Sequence, residues 1–153
     1  MARDRNAGDM PGGPGCSLTL REMEGEFMTA QKFGDLIYTF DAAAGEALGK
    51  RESHTPKIEA PARVKPDELF DLKVTVGPHP NTVEHAIRWI MVAFEEEGRA
   101  FNPVYLGKAS FNAVTTQPEV TLKVRLAKGG VIHAVEYCNL HGLWAGKKEI
   151  KIQ

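Results

Sequence analysis

The chain has 153 residues, 42% hydrophobic and 25% charged, a length that suits one domain able to bury a core without disulfides. Nineteen Lys and Arg against 20 Asp and Glu leave a formal net charge of −1, so neither nucleic acid nor an anionic membrane is expected as a partner. The longest apolar stretch, Trp89 to Phe94, is too short to span a bilayer, and the two cysteines, Cys16 and Cys138, cannot build a disulfide framework. Residues 1–15 show no apolar leader, and a reducing, cytoplasmic location is expected.

Residues 3–15, RDRNAGDMPGGPG, are aperiodic and rich in breakers. Residues 18–32 allow a helical turn or two, weakened by Gly25. Residues 1–32 are therefore expected to be a flexible extension, partly helical or disordered, without a metal site. Phe33 to Tyr38 reads as an apolar anchor and Ala42 to Leu48 as a further helical turn. Phe70, Leu72, Val74 and Val76 alternate with Asp71, Lys73 and Thr75, the pattern of a half-buried strand.

Residues 83–97 are ambiguous. Asn81 or Thr82 could cap a helix that Gly98 stops, yet His85 to Phe94 equally fits a strand buried on both faces. Val104 to Phe111 is a weaker strand. Val120, Leu122, Val124 and Leu126 alternate with polar residues, and the β-branched run 131–137 follows Gly129-Gly130. Segment 120–137 is therefore expected to form a hairpin around a Lys-Gly-Gly turn. Glu149 to Ile152 is a last short strand. Strands at this regular spacing predict an all-β sandwich for residues 33–153.

Four of the five histidines fall in three clusters, at Arg51–Pro56, Gly77–His85 and Tyr137–Trp144. Loops at one end of a sandwich can converge on a common point. Imidazole and thiolate are strong ligands for first-row transition metals, and four imidazoles plus one thiolate exceed what tetrahedral zinc needs. That count suits a five-coordinate redox metal with one open position.

These clusters resemble a known signature. Glu52-Ser53-His54-Thr55-Pro56, then His79-Pro80-Asn81 with Glu84-His85, then Cys138-Asn139-Leu140-His141-Gly142-Leu143-Trp144 are similar to the superoxide reductase family. The type is neelaredoxin, equivalent to the catalytic domain of desulfoferrodoxin, and the resemblance covers roughly Phe33 to Gln153. It implies an immunoglobulin-like antiparallel β-sandwich, and it makes 85–94 a strand. It also implies one mononuclear non-haem iron, Fe2+/Fe3+, with His54, His79, His85 and His141 in a plane and Cys138 on the axis. Glu52 matches the family glutamate that can take the sixth position on oxidised iron. Ser53 stands where the family usually has a substrate-attracting lysine.

The implied activity is one-electron reduction of superoxide to hydrogen peroxide, with an external electron donor, commonly rubredoxin in the family. A homo-oligomer, tetramer or dimer, is also implied. Longer relatives hold a second iron with four N-terminal cysteines, and Cys16 alone cannot build that centre. The alternative to an enzyme is a non-catalytic iron-binding or oxidant-sensing module. His133, mid-strand and outside any cluster, is expected to carry no metal or catalytic role, and Trp89 and Trp144 are expected to be core or rim packing residues.

Overall fold

The computed structural model describes residues 31–153, so the expectations for residues 1–30, Cys16 included, lie outside the described residues. Phe33–Gln153 form one compact unit. Its strands are β1 (Tyr38–Thr39), β2 (Lys57–Glu59), β3 (Arg63–Val64), β4 (Phe70–Thr75), β5 (Ile87–Glu96), β6 (Val104–Ser110), β7 (Glu119–Val124), β8 (Gly130–Cys138) and β9 (Gly142–Ile152). Two 3-10 turns, Phe33–Leu36 and Gly45–Lys50, precede a short helix, α1 (Arg51–His54).

The strands make two sheets. The larger runs β1-β9-β8-β5-β6, with β3 also on β9, and the smaller runs β2-β4-β7. All pairings are antiparallel except those of β1 and β3 with β9. The core lies between the sheets. Leu72, Val74 and Val124 from the small sheet meet Ile90, Val92, Phe94, Ile132 and Ile150 from the large one. The expected β-sandwich is what the chain forms.

The strand expected at 70–76 keeps its alternation, with Phe70, Leu72 and Val74 buried. The ambiguous run becomes β5, paired on both sides, with β6 and β8. Thr82 does not start a helix; its hydroxyl accepts the His85 N–H at 3.0 Å and closes the loop ahead of β5.

Two expectations are corrected. Segment 120–137 is not a hairpin. β7 pairs with β4 in the small sheet, and β8 lies between β5 and β9 in the large one. Each strand had the right pattern, but alternation identifies a buried face and not the partner. The last strand is not confined to 149–152. It starts at Gly142 and forms the true hairpin with β8, Cys138 facing Gly142 in register.

Candidate metal centre

The three clusters meet at one end of the sandwich. His54 ends α1, which puts the first cluster on a helical turn rather than an open loop. Gly146 on β9 secures that turn, because a Cβ there would run into the Pro56 carbonyl. His79 and His85 lie on the loop between β4 and β5. The Asn81 side chain anchors this loop, accepting from the Val114 N–H at 2.9 Å and donating to the Thr116 carbonyl at 3.2 Å. Cys138 and His141 flank the β8–β9 turn, where Gly142 has φ +81, a conformation that favours glycine.

One donor atom from each of His54, His79, His85, Cys138 and His141 lies within 4.8 Å of every other. The four rings form a closed cycle in the order 54, 79, 85, 141. Neighbouring rings stand edge-on, with centroids 4.5 to 5.0 Å apart and planes 74° to 84° apart. His54 and His85, across the cycle, are 6.3 Å apart and only 28° from parallel. Cys138 Sγ is 3.6 Å from His79 Nε2 and 3.7 Å from His141 Nδ1, nearly equidistant from two opposite members of the cycle.

Hydrogen bonds set which nitrogen faces inward. His54 Nδ1 donates to the Lys50 carbonyl at 3.0 Å, and His79 Nδ1 to the Pro80 carbonyl at 2.6 Å. A carbonyl only accepts, so both Nε2 atoms carry lone pairs. They nonetheless face each other at 3.1 Å. Two lone pairs at that distance repel unless a cation lies between them. His54 Nε2 is also 3.1 Å from His141 Nδ1. Imidazole nitrogens at neighbouring corners of a square around a first-row metal stand about 3.0 Å apart when each bond is roughly 2.1 Å. His85 Nε2 is buried without a hydrogen-bond partner. The donor set fits a metal ion.

Burial sets the electrostatics. It lowers the His54 pKa to about 4, against a weaker upward pull from the Lys50 carbonyl. Burial also lowers His79 and His141, and Lys50 adds to the effect on His141. These three imidazoles are therefore held neutral, the form that ligates. Burial raises Cys138, so its thiol keeps its proton until a metal displaces it.

Glu52 is exposed and is not part of the donor cluster. The Ser53 hydroxyl donates to the Lys50 carbonyl at 3.0 Å and lies 2.8 Å from His54 Nδ1. Its neighbours among the cations point to different places. Arg51 lies over the Phe40 ring, and Lys57 donates to the Gly77 carbonyl at 2.8 Å. Lys50 lines a groove of about 480 Å³ together with His141, Tyr38 and Leu140. A cavity of about 660 Å³ touches His133 and Lys147 and none of the five donors. His133 pairs with Glu95 at 2.9 Å on the outer face of the large sheet.

Sequence reasoning overlooked Glu136. It is fully buried, and among the described residues neither carboxylate oxygen has a partner; burial pushes its pKa up to about 9. The signal was available: Ile132, Ala134, Glu136 and Cys138 alternate along one strand and so share a face. Trp144 is buried, as expected of a packing residue, and its Nε1–H also donates to the His141 carbonyl at 3.0 Å.

Fold and site together define a β-sandwich metalloprotein with a donor set of four imidazoles and one thiolate. Residues 46–147 match the desulfoferrodoxin family, and the chain belongs to that family. It is similar to the superoxide reductase (neelaredoxin) structure from Ignicoccus hospitalis, with 56% identity and a TM-score of 0.76, over 80% of this chain and all of that one. The superoxide reductase of Thermococcus kodakarensis is 43% identical over 101 residues, 62% of this chain and 84% of that protein. Neelaredoxin of Megalodesulfovibrio gigas is 35% identical over 119 residues, 68% of this chain and 91% of that protein.

Proposed function

We propose that the chain is a superoxide reductase and that its five donors hold one mononuclear iron. His54, His79 and His85 would hold it through Nε2, His141 through Nδ1 and Cys138 through Sγ. The observation that carries this reading is the pair of inward lone pairs on His54 and His79, 3.1 Å apart within the five-donor cluster. When bound, the iron supplies a one-electron couple, so that superoxide and two protons become hydrogen peroxide and an external donor restores the ferrous state. The chain's own residues prepare that chemistry. The Lys50 and Pro80 carbonyls hold two imidazoles with lone pairs inward. Cys138 would give up its proton to a bound metal, and its thiolate would donate charge to it.

Five protein donors would leave room on the metal for one small ligand, the superoxide anion. Glu52, exposed beside His54 in sequence, would be the carboxylate that reaches the metal in the oxidised protein. Residues 33–153 carry all five donors and make up the iron-binding unit, with 1–32 as an extension that contributes none. The donor is a small one-electron carrier of the rubredoxin class, and the working form is a homo-oligomer. Among the described residues no helix is long and apolar enough to cross a membrane. The near-absence of cysteine supports a cytoplasmic site of action.

The test is metal analysis of anaerobically purified protein, followed by an optical spectrum and stoichiometric superoxide consumption. One iron per chain, a blue ferric form and superoxide consumption are expected. Stoichiometric zinc without iron overturns the iron reading. Iron without superoxide consumption favours the non-catalytic module.

A further inference from the structure

We infer that Asn139 is a positioning residue for His85, coupling that histidine to the Cys138–His141 turn. The inference rests on the ligand set proposed above. Asn139 follows Cys138 directly and lies on the turn between β8 and β9. Its side chain reaches the loop before β5 and grips the backbone on both sides of His85. Asn139 Oδ1 accepts the Ala86 N–H at 2.9 Å, and Asn139 Nδ2 donates to the Glu84 carbonyl at 2.8 Å. Its own N–H donates to the Ala86 carbonyl at 3.4 Å.

His85 is the member of the ring cycle that needs such support. His54 and His79 are each oriented by a carbonyl on Nδ1. His141 belongs to the same tight turn as Cys138. Among the described residues the His85 ring has no hydrogen-bond partner, and its Nε2 is buried. Its aim therefore depends on its backbone. Thr82 holds that backbone locally, and Asn139 holds it relative to the thiolate. A side-chain amide presents its donor and its acceptor on two separate atoms in one plane, which a single hydroxyl cannot do. The Asn139 clamp thus sets the distance between the His85 imidazole and the Cys138 sulfur.

The experiment compares Asn139→Ala and Asn139→Asp with Asn102→Ala. Asn102 is a matched control, because its amide likewise grips both backbone groups of Glu96, at 3.0 Å each. In the variants at position 139, iron affinity measured by chelator competition should fall about 10- to 100-fold. The ferric thiolate-to-iron absorption band should also move. Asp keeps the acceptor toward Ala86 but sets an oxygen against the Glu84 carbonyl, so it should not rescue. Asn102→Ala should lower Tm and leave both the band and the affinity in place.

Unchanged band and affinity at position 139 would overturn the inference, as would equal changes in both alanine variants. If Asn139→Ala does not fold, Asn139→Asp alone decides on the same two readouts. If that variant does not fold either while Asn102→Ala does, Asn139 is a folding residue and the inference fails. A wild-type protein without iron or band would instead show that the ligand set itself is wrong.

Discussion

Glu136 and Cys138 project from the same face of β8, two positions apart, and both are completely buried. Neither oxygen of Glu136 has a hydrogen-bond partner, so the carboxyl is held neutral with a pKa pushed up to about 9. In the unfolded chain it titrates near its ordinary value of 4.5. A raised folded-state pKa means that folded protein binds the extra proton. The stability that Glu136 contributes to the metal-free protein is fully present below pH 4.5 and is lost as pH rises through about 9. Glu136→Gln should flatten this alkaline loss of Tm. An unchanged slope between pH 5 and 9 would place the cause in another group.

His54 gives the opposite limb. Its folded pKa of about 4 lies below the ordinary 6.5, so the folded state resists protonation. Metal-free protein should lose stability as pH falls from 6.5 to 4 and change little from this group above 6.5. For the same reason protons should compete only weakly for this ligand at pH 5. Iron content measured after dialysis across pH 4 to 7 should hold to about pH 5. Release beginning near pH 6.5 would contradict the depressed value.

Cys138→Ser should abolish the blue ferric colour and nearly all superoxide reduction. The buried thiol becomes a strong donor only as thiolate, and a serine hydroxyl does not ionise comparably. The optical spectrum of oxidised variant protein checks this. Persistent colour would assign the axial position to another residue.

Lys50, which lines the groove beside His141, is the cation placed to attract an anion toward the site, whereas Arg51 and Lys57 are engaged elsewhere. Lys50→Gln should slow the second-order reaction with superoxide severalfold and weaken its dependence on ionic strength. Ser53→Ala should leave that salt dependence unchanged, because the hydroxyl faces the outer nitrogen of His54 and carries no charge. Pulse radiolysis at several salt concentrations distinguishes the two. Identical slopes for wild type and Lys50→Gln would remove Lys50 from substrate attraction.

A chain starting at Gln31 should bind one iron and reduce superoxide like the full chain. All five donors lie between His54 and His141. Iron analysis of the shortened protein tests this, and a large drop in iron content would show that residues 1–30 support the site.

Much of the site was legible in the sequence because its chemistry resides in residue types. Imidazole and thiolate gathered in clusters point to metal binding, and the clusters around His54, His79 with His85, and Cys138 with His141 stand out together. Individual strands were legible for a similar reason. A half-buried strand requires side chains to alternate, as Phe70 to Val74 and Val120 to Val124 do. Pairing was not legible, because alternation carries no partner information. Val120–Val124 looked like one arm of a hairpin with 131–137, and only the closed sandwich sends it to β4, with Leu122 opposite Leu72. Residues 83–97 stayed ambiguous until partners on both sides, β6 and β8, satisfied their backbone as a strand. The sequence by itself thus determined which groups could bind a metal and which faces are buried. Tertiary structure alone decided the aim of those groups. The carbonyls of Lys50 and Pro80, the Asn139 amide and the unpartnered carboxyl of Glu136 act through directions and distances that exist only once the chain has closed.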